Sequence, residues 1–184
     1  FFDTAEAYND GRSEEIVGKA LADRRDRAVI ATKIAPRNTE PATLRAHLEA
    51  SLRRLRTDYV DLYQVHWPMP PENVEGAVAM LEELQSEGKV RTLGVSNHGV
   101  QQMEKIVWTG CPVASNQLCY NLLTRAIELE VLPSCRKYGM SVIAYMALMQ
   151  GLLAGAYRSA DEVPTFRART RHFAAWRGAR HGEE

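Results

Sequence analysis

Apolar runs with the length of β-strands alternate along this chain with amphipathic stretches of helical period. After an opening strand end, FFDTA, the strand-like runs cover residues 28–33, 59–66, 90–97, 113–121 and 141–145. Because strands that are separated by helices pair in parallel and are covered on both faces, this order predicts an α/β fold around a parallel sheet.

The intervening stretches have the apolar spacing of helices that pack on a sheet. Two of them each place four apolar residues on a single stripe: Leu44, Leu48, Leu52 and Leu55 in one, and Val74, Val78, Leu81 and Leu84 in the other. Ser13 is expected to cap the first helix, and Gly88 to end the helix of the second stripe.

Each predicted strand ends on a polar residue, in the order Asp3, Lys33, His66, Asn97, Gln117 and Tyr145. A unit that recurs about every thirty residues suits a (β/α)8 TIM barrel, whose functional residues collect at the carboxyl ends of the strands. A doubly wound open sheet has the same local pattern, but the glycine-rich first turn expected of it is not visible in the sequence.

Such a barrel has eight βα units and about 250 residues, whereas this chain of 184 residues has about six units. We therefore expect an incomplete barrel, with 1–184 forming a single domain that is truncated at both ends. Residues 158–184 are expected to be irregular or flexible.

Composition excludes several classes of function. The 23 Lys and Arg residues balance 23 Asp and Glu residues, so there is no electrostatic case for a nucleic acid or an anionic membrane. No apolar run reaches the ~18 residues of a membrane span. The three cysteines, Cys111, Cys119 and Cys135, form no metal-binding motif and are expected to be reduced and buried in a cytoplasmic protein.

Four of the polar side chains near one rim could together transfer a proton. Free tyrosine has a pKa near 10, and a neighbouring lysine cation lowers it, so Lys33 would make Tyr8 a better acid. Asp3 would keep Lys33 charged, and His66 would orient a substrate oxygen. Each residue also has a structural explanation when taken alone, and a desolvated Lys33 could instead form a Schiff base as in aldolases.

The other polar residues of the rim suit a nicotinamide ring. Ser96, Asn97 and Gln117 carry hydroxyl and amide groups that could hold its carboxamide, and Tyr145 has an aromatic face that could stack on it.

These motifs, in this order, resemble the aldo-keto reductase superfamily, and the similarity extends to about Tyr157. The segments that carry the resemblance are FDTAEAY, ATK, LYQVHWP, LGVSNH, NQLCYN and VIAYMALMQGLLAG. The last segment is most similar to the branch that contains bacterial oxidoreductases and potassium-channel β subunits. Asn9 stands where the family usually has glycine, and Met146 stands where serine is usual.

The resemblance implies the roles of the residues. Tyr8, Asp3, Lys33 and His66 would be catalytic, with Tyr8 as the general acid. Ser96, Asn97 and Gln117 would hold the carboxamide of NADPH (NADP+), and Tyr145 would stack on the nicotinamide; no metal is implied.

The expected function is the NADPH-dependent reduction of a small aldehyde or ketone to an alcohol. A cofactor-binding regulatory or interaction protein on the same scaffold, and an inactive fragment, are the alternatives.

Overall fold

Residues 1–168 are described by a computed structural model of the chain. The chain divides into two compact units. The first comprises Phe1–Leu118 and Ala126–Ile143, and the second comprises Cys119–Arg125 and, among the described residues, 144–168. All the strand pairs whose register is given below lie in the first unit.

Six strands form one sheet in chain order, which confirms the predicted alternation of strands and helices. They are β1 (Phe2–Asp3), β2 (Ile30–Ile34), β3 (Val60–Val65), β4 (Val90–Ser96), β5 (Val113–Cys119) and β6 (Ser141–Tyr145). The pairs from β1 to β5 are parallel, and Lys33 lies opposite Gln64, which in turn lies opposite Gly94. The carboxyl ends of these strands therefore share one edge.

Helices follow the strands as the sequence predicts. They are α1 (Arg12–Ala20), α2 (Pro41–Leu55), α3 (Val74–Ser86), α4 (Val100–Val107), α5 (Val131–Lys137) and the single turn α6 (Thr165–Ala168). The apolar stripes of α2 and α3 are buried in the core, which also takes in β2, β3 and β4. Burial of these stripes at roughly 25 cal/mol per Å² is the main force that holds the helices on the sheet.

The sheet curves strongly within the first unit. The side-chain amide of Gln117 in β5 donates a hydrogen bond to the carboxylate of Asp3 in β1 over 2.9 Å. Neighbouring strands lie ~4.8 Å apart, so a flat sheet would separate β1 from β5 by about 19 Å. The contact excludes an open sheet for these strands and agrees with six units of a (β/α)8 barrel.

The predicted start of the first helix is wrong, and the predicted end of the helix of the second stripe is confirmed. The helix α1 begins at Arg12 after Gly11, so Ser13 lies inside its first turn and its hydroxyl accepts a hydrogen bond from Thr4 instead of capping the helix. Gly88 follows the end of α3 with φ of 76°, as expected for a glycine that stops a helix. The helix α5 begins at Val131, after a separate 3-10 turn over residues 126–128.

The remaining differences are smaller. The strand β5 ends at Cys119 instead of residue 121, and Cys119 is half-buried, whereas Cys111 and Cys135 are buried as expected. Within 158–184, the described residues contain a 3-10 turn and α6, and residues 169–184 lie outside the described part. Among residues 1–168, no helix is both long and apolar enough to cross a membrane.

Candidate active site

A buried ion pair joins the first two strands at their carboxyl ends. The ammonium of Lys33 contacts the Asp3 carboxylate at 2.5 Å and donates a second hydrogen bond to the Thr4 carbonyl at 2.8 Å. The Lys33 side chain is fully buried, while that of Asp3 is 29% exposed. Burial lowers the pKa of Lys33, and the charge of Asp3 opposes this effect.

Tyr8 and His66 lie beside this ion pair. The Lys33 nitrogen is 5.2 Å from the centre of the Tyr8 ring, and the Tyr8 and His66 rings meet edge to face at 5.6 Å. Tyr8 is 40% exposed. The structure thus brings together a carboxylate, an ammonium, a phenol and an imidazole from three strand ends, with the phenol accessible from outside.

The surroundings of His66 favour its neutral form. Burial and the charge of Lys33 lower the pKa of this half-buried side chain, while the charges of Asp3 and Glu6 oppose the shift. A neutral imidazole carries one N–H donor, which can bind a carbonyl oxygen without adding a second positive charge to the site.

The loop that carries Tyr8 has an unusual backbone. Asn9, Asp10 and Gly11 have φ of 48°, 52° and 84°, all in the left-handed region. Asparagine and aspartate tolerate this region better than most residues, which explains how Asn9 can stand where the family usually has glycine. At Gly11 a Cβ atom would lie 2.5 Å from the Arg54 side chain, so this position needs glycine for space as well.

Ser96, Asn97 and Gln117 are joined in one hydrogen-bonded group next to the ion pair. The Asn97 amide donates to the Ser96 hydroxyl and to the His66 carbonyl, each at 3.0 Å. The Ser96 hydroxyl donates to the Gln117 carbonyl at 3.0 Å. Asn97 has φ of 61°, which turns the chain at the end of β4.

Tyr145 ends β6 and belongs to the second unit. There its carbonyl accepts a hydrogen bond from the Tyr120 amide at 3.3 Å, and its side chain is half-buried. Its predicted stacking role stays a prediction.

Two contacts at the site were missed by sequence reasoning. The Thr4 carbonyl binds Lys33, and the Gln117 amide binds Asp3, a contact that is separate from the role predicted for Gln117. Thr4 lies inside the FDTAEAY motif, but a backbone acceptor carries no signal in residue type. Within residues 1–168 no group of three or more potential metal ligands occurs.

The pattern of these residues has a counterpart in a known family. The model of the Aldo/keto reductase family matches residues 1–180. This chain belongs to the aldo/keto reductase family.

Two relatives from Escherichia coli are reductases of one substrate. The methylglyoxal reductase YeaE is 42% identical over 151 residues, which cover 80% of this chain and 52% of the relative. The NADH-specific methylglyoxal reductase is 37% identical over 184 residues, which cover 88% of this chain and 56% of the relative. The chain thus spans about half the length of the curated relatives it matches.

A solved structure shows the same fold. The aldo/keto reductase from Klebsiella pneumoniae, in complex with NADP and acetate, superimposes with a TM-score of 0.77 and is 40% identical. The match covers 81% of this chain and 53% of the Klebsiella protein. Membership of the family therefore rests on sequence and fold together.

Proposed function

We propose that the protein reduces a small aldehyde or ketone to the alcohol with NADPH, and that Tyr8 is the general acid. The observation that carries this proposal is the position of the Tyr8 ring close to both the buried Lys33 ammonium and the His66 ring. Membership of the aldo/keto reductase family supports the reaction class.

The side chains divide the work as follows. Lys33, held as a cation by Asp3, stabilises the tyrosinate that forms when Tyr8 gives its proton to the carbonyl oxygen. Neutral His66 donates a hydrogen bond to the same oxygen and fixes its place. Proton transfer from Tyr8 completes the alcohol, and Tyr8 then regains a proton from solvent, to which it is exposed.

The group at the ends of β4 and β5 fits a nicotinamide carboxamide. Ser96, Asn97 and Gln117 carry hydroxyl and amide groups and form one connected network beside Asp3. NADPH held by these residues would supply a hydride to the carbonyl carbon. Tyr145 would stack on the nicotinamide, as the resemblance implies.

We propose methylglyoxal and other small carbonyl compounds as the substrates, because two of the relatives are named methylglyoxal reductases. Since one of these is NADH-specific, NADPH and NADH are to be compared at equal concentration.

The test follows the hydride in the complete gene product, because the chain spans about half the length of its relatives. The protein is incubated with methylglyoxal and with NADPH that carries deuterium at nicotinamide C4. Each stereoisomer of the labelled cofactor is used in turn. One isomer should yield an alcohol that is one mass unit heavier at the former carbonyl carbon.

Two outcomes would contradict the proposal. Turnover without deuterium transfer would exclude direct reduction by the cofactor. A carbonyl adduct on Lys33 that borohydride traps and mass spectrometry detects would show Schiff-base chemistry instead. The ion pair with Asp3, which favours the protonated amine, opposes that alternative.

A further inference from the structure

Glu6 lies in the loop between β1 and α1, two residues before Tyr8, and its side chain is 8% exposed. One carboxylate oxygen accepts hydrogen bonds from the backbone amide of Ala35 and the side-chain amide of Asn38, both at 2.8 Å. The other oxygen lies 2.8 Å from Nδ1 of His47 in α2. This carboxylate therefore connects the loop of Tyr8 with the loop after β2 and with α2.

A buried carboxylate is unfavourable unless its oxygens have partners. The Glu6 carboxylate finds partners for both oxygens only when its loop lies in this position, because the partners belong to two other segments of the chain. The Glu6 backbone amide also donates to the Lys33 carbonyl at 3.2 Å. The main chain and the side chain of Glu6 together bind its loop to the strand that carries Lys33 and to the loop that follows this strand.

Glu6 is part of the turn that ends at Tyr8. The Tyr8 amide donates to the Ala5 carbonyl at 3.0 Å, which closes a turn over residues 5–8 in which Glu6 is the second residue. After Tyr8 the chain enters the left-handed run of Asn9, Asp10 and Gly11, where the Tyr8 carbonyl accepts a hydrogen bond of 3.4 Å from the Ser13 amide at the start of α1. Glu6 is the buried side chain of this turn that bonds to a neighbouring loop.

We propose that Glu6 is a positioning residue for Tyr8. Its carboxylate holds the turn of residues 5–8 against the loop after β2, so that the phenol stays beside Lys33 and His66. The inference rests on the proposed role of Tyr8 as the acid, and it adds a residue outside the eight to which the resemblance assigns a role.

The first test compares Glu6→Ala with Glu6→Gln in the complete protein, with methylglyoxal and NADPH. A misplacement of about 1 Å can lower a rate by 10²-fold, so Glu6→Ala should lower kcat by roughly 10-fold to 100-fold. The KM for the carbonyl and the affinity for NADPH should change by less than about threefold, because Glu6 contacts neither of their expected sites. Glu6→Gln keeps the oxygen that binds Ala35 and Asn38, and should restore most of kcat.

The second test is a double-mutant cycle with Tyr8→Phe. If Glu6 acts only through the phenol, Glu6→Ala should change the residual rate of Tyr8→Phe by less than about threefold. Losses that multiply in the double variant would overturn the proposal, as would a wild-type kcat in Glu6→Ala. The matched control is Glu49→Ala, which removes a carboxylate bonded to Lys89 on the outside of α2 and should leave kcat unchanged.

Thermal unfolding of every variant separates loss of folding from loss of placement. Should Glu6→Ala fail to fold, Asn38→Ala removes one donor to the same oxygen and is carried through the same cycle. An Asn38→Ala kcat equal to that of the wild type would then overturn the proposal. Failure of the proposed function has a different signature, since the wild type itself would show no reduction that depends on Tyr8.

Discussion

Each face of β2 is associated with a largely buried pair of opposite charges, Lys33–Asp3 on one face and Arg54–Glu14 on the other. Lys33 pairs with Asp3 on one face, and the hydroxyl of the adjacent Thr32 donates to the Glu14 carboxylate on the other. Glu14 also binds the Arg54 guanidinium at 2.6 Å, which ties α1 to α2. Adjacent residues serve opposite faces because side chains alternate along a strand.

The two pairs differ in access. The side chain of Glu14, a residue of α1, is fully buried. In contrast, the Asp3 side chain is 29% exposed and the neighbouring Tyr8 is 40% exposed. The comparison teaches that a buried ion pair alone does not mark a reactive site. Tyr8 is a proton donor that solvent and substrate can reach, and it makes the Lys33–Asp3 pair a candidate for chemistry. The Glu14–Arg54 pair, on the outer face of the sheet that the helices cover, holds α1 and α2 together.

The largest expected effect comes from removing the hydroxyl of Tyr8, and it is compared with removal of the hydroxyl of Tyr63. Tyr8→Phe should lower kcat by about 10²–10⁴-fold while NADPH still binds, because the phenol is the proton donor. Tyr63→Phe is the matched control, since Tyr63 is fully buried on the outer face and its hydroxyl has no hydrogen-bond partner in the described residues. It should leave kcat unchanged and stability equal or higher.

Single-turnover rates and NADPH fluorescence titration measure both tyrosine variants. A Tyr8→Phe protein that keeps more than about a tenth of the wild-type rate, with chemistry limiting, would remove Tyr8 from the role of acid.

The next effect separates the two carboxylates. Glu14→Gln leaves Arg54 without its counter-charge and should lower the free energy of unfolding by about 1.5–3 kcal/mol, with kcat retained. Asp3→Asn removes the charge that favours protonated Lys33, so the pKa of Lys33 should fall further below its ordinary value. The alkaline loss of kcat should therefore begin at lower pH.

Urea unfolding and pH profiles of kcat test this pair of variants. The proposal that Asp3 serves catalysis and Glu14 serves only stability would be contradicted if Glu14→Gln changed the pH profile of kcat, or if Asp3→Asn left that profile unchanged.

A smaller effect distinguishes the histidines that follow β3 and β4. His98 is 1% exposed, its Nδ1 lies 2.8 Å from the Ser96 carbonyl, and burial lowers its pKa to about 4. Between about pH 4 and its unfolded pKa of about 6.5, the unfolded chain binds a proton that the native state does not. The free energy of unfolding should therefore fall by about 2 kcal/mol from pH 7 to pH 5.

The contribution of His98 is isolated by substitution. His98→Gln should flatten this pH dependence, whereas His66→Gln should keep most of it and lower kcat. Urea unfolding at pH 7 and pH 5 measures the difference. Equal slopes in the wild type and in His98→Gln would show that other groups govern the acid sensitivity.

The smallest effect compares two asparagines. Asn97→Ala should weaken NADPH binding through one lost neutral hydrogen bond, worth about 0.5–1.5 kcal/mol, without changing the affinity for an adenine-ribose fragment. Asn116 lies on the outer face, where its side chain bonds to the main chain of His98. Asn116→Ala should lower stability and leave binding of the whole dinucleotide unchanged, as titration of both ligands would show.

Much of the site could be predicted because strand ends are local. The period of apolar runs predicts the strands, and parallel strands bring their carboxyl ends to one edge, so Asp3, Lys33 and His66 were expected together. The errors concern features that depend on neighbours in space. Ser13 has a good capping side chain, but its hydroxyl bonds to Thr4.

The sequence by itself determined the order of the elements, the apolar stripes of α2 and α3 and the family, because these are written in residue type and spacing. Only the tertiary structure decided that the sheet curves far enough for Gln117 to reach Asp3. It likewise decided that Glu6 anchors the loop of Tyr8 through Ala35 and Asn38. Such contacts join residues about thirty or more than a hundred positions apart, and their partners are set by packing, on which the local pattern carries no information.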